Sequence, residues 1–415
     1  MPVFDLIIDD LGAQGDGIAH KDGQTIFVAG ALAGEKVRVE LDNTQHRKLV
    51  EILAPSPDRT NPACPHFLKC GGCRLQHLSP ESYQAFKLKQ LTALFARAGL
   101  SVPPMEPLVI TPPQTRRRAR LTAQRTKKGI TLGFNEAQSH NLVDIEHCAV
   151  LSPVLMALIS KIRKHLSLWL PVNQSCALHL TLLENGIDLV LIGGPKLDLS
   201  VREKLGHLAQ ALGVANISWR QDHKKPLEPI AQMVPLQVTF GKTSLDFPPA
   251  SFLQATPLGE KALIDFVLRH SKKGQRVLDL FCGLGTFGLS LEKPKYVYFS
   301  DIDGPAIKAL HKNFKSNKRM EVEERNLMRE PFSSSECNDF DLVIFDPPRI
   351  GAKAQAKQLA QSNVKNIIAI SCDPSSFARD AKILIDGGYE LKTLQPVDQF
   401  LWSPHLELAA YFERG

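Results

Sequence analysis

Hydrophobic and polar positions alternate along this chain with two different periods. Over residues 1–55 the alternation is short, and Gly-rich or charged turns separate the pieces VFDLIIDDL, QTIFVAGAL, EKVRVELDN and RKLVEILAP. Five or so short strands in this length predict a small closed β-barrel of the oligonucleotide-binding type. The polar, Pro-rich stretch APSPDRTNPACP that follows indicates a linker and a domain boundary.

From about residue 257 the pattern changes to a regular alternation of strands and helices. Four apolar runs predict strands, and a helical stretch adjoins each of them; the strands are RVLDLF, KYVYFSD, FDLVIFD and NIIAIS. This order is typical of a doubly wound parallel sheet, which binds ligands at the carboxyl ends of its strands. Between the two regions we expect a helix at about 79–98, capped by Ser79 before Pro80, and another near 153–168.

These patterns predict a multidomain protein with a β-barrel over 1–58, a central α+β domain over 59–247 and an α/β Rossmann-like domain over 248–415. The apolar content of 43% and charged content of 22% are ordinary for a folded chain. The acidic start and the lack of apolar runs of about 18 residues predict a cytoplasmic protein without membrane contact. In such a reducing compartment, eight cysteines suggest metal binding or catalysis before disulfides.

A basic stretch, RRRARLTAQRTKK, runs from Arg116 to Lys128 with seven basic residues and no acid. Such a run is typical either of a solvated cationic surface or of a segment that neutralises nucleic-acid phosphates. The modest net charge of +7 does not decide between these two interpretations.

The segment VLDLFCGLGTFGLSL predicts a strand, a Gly-rich turn and the start of a helix. Asp279 ends the strand, Gly283 and Gly285 allow a tight turn, and Asp301 follows at the end of the next strand, placed to bind ribose hydroxyls. A dinucleotide-binding fold would share these features. The acid before the glycines, and the absence of G-x-G-x-x-G spacing, favour an S-adenosylmethionine-dependent methyltransferase over a dehydrogenase.

Two further strand ends carry candidate chemistry. Asp346 leaves the strand FDLVIFD at a D-P-P loop, and methyltransferases of planar nitrogen targets use a similar loop with an aromatic residue next. Here Arg349 occupies that position, which points away from amino-nitrogen chemistry.

Cys372 directly follows the strand NIIAIS, where a nucleophile would face the cofactor. A thiolate that adds to C6 of a pyrimidine makes C5 able to attack a methyl sulfonium, and the adjacent helix start would lower the pKa of the thiol. A free structural cysteine is the alternative.

Removal of the C5 proton then needs a general base. Glu407 begins the final strand after His405, in HLELAAYF, and a buried carboxylate is costly unless it is used or paired. An ion pair at the rim of the protein is the alternative role for Glu407.

Together these motifs resemble the bacterial 5-methyluridine RNA methyltransferases, and specifically their iron–sulfur-containing 23S rRNA branch with an N-terminal TRAM-like domain. The resemblance covers nearly the whole chain and includes the cysteine group, TRRRARL, LGFNEAQSHNLVDIEHCAVL, SFLQ, DLFCGLGTF, DPPR, SCDP and HLE. It implies a class I methyltransferase fold, Cys372 as the nucleophile and Glu407 as the base. The residues that it implies around S-adenosylmethionine are Gln254, Phe281, Gly283, Gly285, Thr286, Asp301, Asn326 and Asp346.

This chain departs from the family pattern at three places. Thr256 stands where the family usually has Asn, two residues after the Gln of SFLQ, and Thr286 stands where Asn is common. DQFLWSP replaces a frequent Met-Phe-Pro stretch. These departures concern cofactor and substrate contacts rather than the chemistry.

Four cysteines form a candidate metal site. Cys64, Cys70 and Cys73 have the spacing C-x5-C-x2-C, and Cys148 follows in EHCAV. Four thiolates suit zinc or an iron–sulfur cluster, and the irregular spacing is unlike a regular zinc ribbon. The resemblance implies a 4Fe-4S cluster with a structural role. Packing roles are expected for Cys176, Cys282 and Cys337.

The resemblance also gives the basic stretch a role, because a target uridine must be flipped out of its RNA fold. We expect RNA contacts from Arg116, Arg117, Arg118 and Arg120. The expected function is 5-methyluridine formation in 23S rRNA by a monomer; the alternatives are a tRNA uridine-C5 methyltransferase and a non-catalytic RNA-binding assembly factor. A cytosine-C5 enzyme is disfavoured, because Pro348 stands where its cysteine would be.

Overall fold

A computed structural model describes residues 3–40, 46–137 and 139–415. The chain divides into two compact units: the first holds 1–92, 131–149 and 400–404, and the second holds 93–130, 150–399 and 405–415. The domain boundaries expected at residues 58 and 247 remain predictions. Residues 41–43 of the segment EKVRVELDN, which the sequence assigned to a strand, lie outside the described residues.

The chain begins with six strands in one sheet: β1 (Val3–Ile7), β2 (Asp10–Leu11), β3 (Gly17–Lys21), β4 (Gln24–Val28), β5 (Lys36–Glu40) and β6 (His46–Ala54). Their order is β1-β5-β6-β4-β3-β2, and only β4 and β6 pair in parallel. Because alternate side chains of a strand share a face, the alternation in the sequence buries one apolar set, which includes Leu6, Ile26, Val37 and Val39.

The middle of the chain contains α1 (Pro80–Arg97), β7 (Val109–Ile110), β8 (Arg118–Thr126), β9 (Gly129–Asn135), β10 (Leu142–Asp144), α2 (Pro153–Trp169), β11 (Gln174–Leu183), β12 (Gly186–Gly193), α3 (Leu199–Leu212), β13 (Asn216–Arg220), β14 (Glu228–Gln232), β15 (Gln237–Phe240) and β16 (Thr243–Asp246). The two helices expected here, α1 and α2, are present. Ser79 Oγ accepts a hydrogen bond from Ser82 N at 3.2 Å, as expected of a cap. In the second unit β8, β11, β12, β13 and β14 lie side by side in that order.

The last third contains α4 (Pro257–His270), β17 (Arg276–Leu280), β18 (Tyr296–Asp301), α5 (Gly304–Phe314), β19 (Met320–Glu324), α6 (Ser334–Cys337), β20 (Leu342–Phe345), α7 (Lys353–Ala360), β21 (Asn366–Ser371), α8 (Pro374–Asp386), β22 (Tyr389–Asp398) and β23 (Glu407–Arg414). The order β19-β18-β17-β20-β21 is parallel throughout, as expected for a doubly wound sheet. Next to β21 comes β23, which is antiparallel to it, and then β22, which is antiparallel to β23. The last strand of the sheet is β7, which pairs with β22 in parallel. The carboxyl ends of β17, β18, β20 and β21 therefore meet at one edge.

The helix expected directly after the Gly-rich turn is not formed. A single 3-10 turn, Gly288–Ser290, stands there, and the chain reaches β18 within a few residues. Pro294 lies in that short interval and cannot donate a helical hydrogen bond, so a longer helix has no room. None of the helices formed by the described residues is long and apolar enough to cross a membrane.

Candidate active site

The structure brings Cys372 and Glu407 together at the end of β21. Cys372 directly follows that strand, and the side chain of Asp373 caps the helix α8. Strands β21 and β23 pair in antiparallel fashion with Ser371 opposite Leu408. Continuing this register by one residue places the candidate nucleophile beside the candidate base.

The thiol of Cys372 is half-buried and surrounded by charged groups. Burial raises its pKa to about 12, and the nearby carboxyl groups of Glu407 and Asp346 add to this rise, while Arg349 opposes it. The start of α8 was expected to lower this pKa, and that expectation is wrong. Desolvation and two carboxyl groups outweigh the helix terminus.

Glu407 is buried, with 2% of its surface exposed, and does not lie at a rim. Burial raises the pKa of Glu407 to about 8, and the carboxyl group of Asp346 adds to this rise. A hydrogen bond from Gln399 and the charge of Arg349 act in the opposite direction. A carboxyl group with a raised pKa titrates near neutral pH, which suits a group that must accept a proton.

A chain of buried amides connects Glu407 with Asp346. Gln399 Nε2 donates to Glu407 Oε2 at 2.8 Å and to Gln254 Oε1 at 2.7 Å. Gln254 Nε2 in turn donates to Asp346 Oδ2 at 3.3 Å, and the Ala255 amide donates to Gln399 Oε1 at 2.8 Å. Every polar atom of the Gln399 side chain is therefore used.

Gln399 was not predicted from the sequence. It lies in DQFLWSP, one of the three departures from the family pattern, and that polar residue beside an apolar strand was the available signal.

Three carboxyl groups gather where β17, β18 and β20 end. Asp301 Oδ2 accepts from the Gly283 amide at 2.8 Å, and Asp279 Oδ2 accepts from the Gly288 amide at 2.8 Å. Asp279 Oδ1 is buried and has no hydrogen-bond partner among the described residues. Burial raises the pKa of Asp279 to about 8, and the charges of Asp346 and Asp301 add to the rise. This edge is therefore suited to a ligand that carries positive charge and donates hydrogen bonds.

The other predicted cofactor residues adjoin the same edge. Phe281 has a left-handed φ of 57°, which is uncommon for a residue with a side chain, and Gly283 and Gly285 have φ values of 52° and 79°. The Thr286 carbonyl accepts from Ser290 Oγ, and Asn326, which follows β19, accepts from the Met328 amide. A Cβ atom on Gly285 would lie 3.1 Å from Leu289 and Phe299, so the turn is tight here.

The four arginines predicted to contact RNA lie in different surroundings. Arg117 forms an ion pair with Glu260 at 2.5 Å, which gives it an internal structural role. Arg116 and Arg118 are half-buried, and Arg120 is exposed. Of the four, Arg120 therefore presents the most open guanidinium group.

The backbone of the first unit brings the four cysteines of the candidate metal site together. Cys70 forms an isolated bridge with Glu136, and the Gly71 amide donates to the Asn135 carbonyl at 3.0 Å. A Cβ atom on Gly71 would lie 3.1 Å from that carbonyl oxygen, so glycine permits the close approach. This pairing holds the segment with three cysteines against the hairpin that leads to Cys148.

The neighbouring cysteines influence the protonation of Cys73. Burial raises the pKa of Cys73 to about 12, and the charges of Cys148, Cys70 and Cys64 add to the rise. The donor chemistry, four neighbouring sulfurs, fits a soft metal or an iron–sulfur cluster. Across residues 3–40, 46–137 and 139–415, however, no group of three or more His, Cys, Asp or Glu side chains is already arranged to hold a metal ion.

Comparison with known proteins decides the family. Residues 87–415 match the family described as tRNA (Uracil-5-)-methyltransferase, and residues 3–49 match the TRAM domain. The chain belongs to the RNA (uracil-5-)-methyltransferase family. The family resemblance and the TRAM-like start read from the sequence are thus confirmed.

Named relatives of this RNA (uracil-5-)-methyltransferase span nearly its whole length. An uncharacterized RNA methyltransferase of Brucella suis is 39% identical over 99% of this chain and 98% of its own. The 23S rRNA (uracil(1939)-C(5))-methyltransferase of Pectobacterium atrosepticum is 31% identical over 96% of this chain and 91% of its own. The crystal structure of the Pyrococcus abyssi tRNA (uracil-54, C5)-methyltransferase in complex with S-adenosyl-L-homocysteine has a TM-score of 0.75 at 24% identity, over 99% of this chain and 100% of that one, and shows the fold.

Proposed function

We propose that this RNA (uracil-5-)-methyltransferase uses S-adenosylmethionine to form 5-methyluridine in 23S rRNA, through a covalent adduct with Cys372. The observation that carries the proposal is the placement of Cys372 beside buried Glu407, at the edge where three carboxyl groups gather. The name of the Pectobacterium relative supports the choice of 23S rRNA.

The carboxyl edge is the proposed site of S-adenosylmethionine. Asp301 is placed to accept from ribose hydroxyls, and the unpartnered Oδ1 of Asp279 offers a buried acceptor among the described residues. Gln254, Phe281 and Asn326 complete the surroundings implied by the family resemblance. When bound, S-adenosylmethionine supplies an electrophilic methyl group on a positively charged sulfur.

In the first step the Cys372 thiol loses its proton to solvent water, and the resulting thiolate adds to C6 of uracil. The S–C6 bond forms, the C5=C6 double bond breaks, and its electron pair is delocalised toward O4, which leaves C5 nucleophilic. Arg349 is the nearby cation that lowers the pKa of both Cys372 and Glu407. We therefore assign to Arg349 a role in favouring the thiolate.

In the last step, once C5 carries the methyl group, Glu407 removes the C5 proton. The C5–H electron pair re-forms the C5=C6 double bond, the C6–S bond breaks, and the Cys372 thiolate leaves. Gln399 holds the Glu407 carboxylate by its 2.8 Å hydrogen bond and is a positioning residue.

Cys64, Cys70, Cys73 and Cys148 would hold a 4Fe-4S cluster in this proposal. Their mutual proximity and all-sulfur chemistry support it. The cluster would supply a structural cross-link between the two segments that carry the cysteines, and the methyl transfer needs no redox step from it.

A denaturing gel tests the proposed function. Anaerobically purified protein is mixed with S-adenosylmethionine and 5-fluorouridine-substituted 23S rRNA fragments, and with tRNA in parallel lanes. Fluorine at C5 cannot leave as a proton does, so the adduct with Cys372 should persist as a shifted band. Cys372→Ala should lose the band, whereas Cys176→Ala, which removes a buried thiol on β11, should keep it.

The outcomes separate substrate from mechanism. A band with tRNA alone would show that tRNA and not rRNA is the substrate, an alternative that the family description supports. A band that survives in Cys372→Ala would remove Cys372 as the nucleophile. RNA binding without a band would favour a non-catalytic binding factor.

A further inference from the structure

One face of the sheet in the second unit carries a row of basic side chains. In the register of β8 and β11, Arg120 lies opposite His179. Arg220 lies on β13, opposite Ile192 of β12. Val190, two residues before Ile192 on β12, is opposite His179, so Arg220 and His179 lie on the same face of the sheet. The opposite face is apolar and buried, with Leu121 packed opposite Leu178.

The basic groups on this face lie close to one another. The rings of His179 and His223 are 5.7 Å apart between centroids, and Arg220 Nη2 lies 3.5 Å from His223 Nδ1. Burial lowers the pKa of His179 to about 4, and the positive charges of Arg120, His223 and Arg220 add to this effect. These neighbours therefore disfavour a positive charge on His179, which stays neutral near pH 7.

Carboxylates do not balance this cluster. Arg117 and Arg202, in the same unit, form ion pairs with glutamates, but Arg120 and Arg220 form none among the described residues. The Nε of Arg220 is buried without a hydrogen-bond partner in the described chain. Asp188 is on this face, yet it is buried and accepts hydrogen bonds from Asn216 and the Ala250 amide.

We propose that this cationic face, whose charge comes from Arg120 and Arg220 and which also includes His179 and His223, binds phosphodiester groups of the RNA strand beside the target uridine. The proposal rests on the proposed function. Unbalanced guanidinium groups suit phosphate oxygens, which accept charge-assisted hydrogen bonds. The cluster extends from β8 to β13, three strand spacings or about 14 Å, which is longer than one phosphate group and suits consecutive phosphates.

The position of the face fits a strand that leads to the active site. Arg118, two residues before Arg120 on β8, donates to the Leu253 carbonyl at 2.6 Å. Leu253 directly precedes Gln254, which bonds to both Asp346 and Gln399. RNA held on this face would therefore continue toward the edge that carries Cys372.

Equilibrium binding to a 23S rRNA fragment at several salt concentrations tests the inference. The double variant Arg220→Gln/His223→Gln, and separately Arg120→Gln, should raise Kd about 10-fold. They should also reduce the steepness of the slope of log K against log salt concentration by about 1, because a protein with fewer phosphate contacts releases fewer counterions when it binds. Arg202→Gln is the matched control, since its guanidinium pairs with Glu228, and it should bind as the unmodified protein does.

Arg120 is exposed, so its variant tests the face even if the double variant folds poorly. Unchanged Kd in a folded Arg120→Gln and a folded double variant would overturn the inference. Weaker binding with an unchanged salt slope would equally overturn phosphate contact. Adduct formation by the unmodified protein is a separate readout, so failure of this inference is distinguishable from failure of the proposed function.

Discussion

Cys73 in the first unit and Cys372 in the second have thiols of similar pKa but different surroundings. The pKa of each thiol is raised to about 12, and burial is the main cause in both. Around Cys73 the further cause is three other cysteines, whereas around Cys372 it is two carboxyl groups, with a cation opposing them. A sulfur among sulfurs suits a metal ligand, and a sulfur between acid and cation suits a nucleophile.

The difference teaches that a raised thiol pKa does not by itself assign a role. A pKa of about 12 favours the protonated form of both thiols near neutral pH, so each needs a further influence to become a thiolate. In the proposed function a metal would do this for Cys73, and a proton acceptor and the cation Arg349 would do it for Cys372.

Replacement of Cys372 is expected to have the largest effect on activity. Cys372→Ser should lower methyl transfer to RNA by more than about 10³-fold, because the weakly acidic hydroxyl cannot replace the thiolate. Transfer of labelled methyl groups to 23S rRNA fragments measures this. The iron content should stay unchanged. A parallel loss of iron would show that Cys372 also contributes to metal binding, so the two thiols would not have separate roles.

Replacement of Cys73 should act on the metal. Anaerobically purified protein should contain about four iron atoms and equivalent sulfide per chain, and Cys73→Ser should lose most of both. Iron and acid-labile sulfide assays measure this, with Cys176→Ala as the control. Zinc in place of iron, or iron that Cys73→Ser retains, would contradict the proposed cluster.

Glu407→Gln should slow product release more than adduct formation. Without the base, the methylated adduct cannot eliminate, so we expect turnover to fall about 10²–10⁴-fold and protein–RNA adduct to accumulate on ordinary uridine RNA. Gln399→Met should act in the same direction but less strongly, since it removes the hydrogen bond that orients the carboxylate. Slower turnover of Gln399→Met with no accumulated adduct would indicate a role outside this step.

Glu407 should also make stability depend on pH. Its folded pKa of about 8 lies above the ordinary carboxyl value, so its contribution is full below about pH 4.5 and is lost as pH rises through about 8. Between pH 6 and pH 9 the unmodified protein should lose roughly 2–3 kcal/mol more than Glu407→Gln. Urea unfolding at the two pH values measures this, and equal losses would show that burial does not hold the proton on Glu407.

The smallest effect is expected at Thr256, a departure from the family beside the Cys372 site. Thr256 Oγ1 accepts from the Gly259 amide at 3.1 Å and caps α4. Thr256→Asn should be close to neutral, since both residues cap helices well, and Thr256→Ala should cost about 1 kcal/mol in urea unfolding. A large loss of activity in Thr256→Asn would instead place this position in the chemistry.

The sequence predicted the parallel sheet well because its strands are short apolar runs with clear turns and helices between them. Cys372 and Glu407 could be proposed as site residues because each lies at a strand end, a position that the sequence pattern reveals. The helix after the Gly-rich turn was wrong because the apolar FGLSL was read without the effect of Pro294 and the short distance to β18.

Features that depend on strand pairing and on hydrogen bonds between distant residues could not be predicted from the sequence. Gln399 acts through hydrogen bonds to residues that precede it by 145 positions and follow it by 8. The acidity of Cys372 depends on Asp346 and Glu407, which only the order β20-β21-β23 brings near it. The cationic face likewise needs the register of β8, β11 and β13, since His179 and Arg220 belong to no basic run.

The side-chain amides that link Glu407 to Asp346 orient these carboxyl groups but do not carry protons between them. Gln399 Nε2 donates to Glu407 and to Gln254, and Gln254 Nε2 donates to Asp346. A carboxamide cannot readily pass on a proton without changing its bonding. The amides therefore hold the two carboxyl groups in position but do not transfer a proton from one to the other. In the proposed mechanism, the proton that Glu407 takes from C5 would therefore not reach Asp346 through these amides, and Glu407 would have to lose it by another route before it could act as a base again.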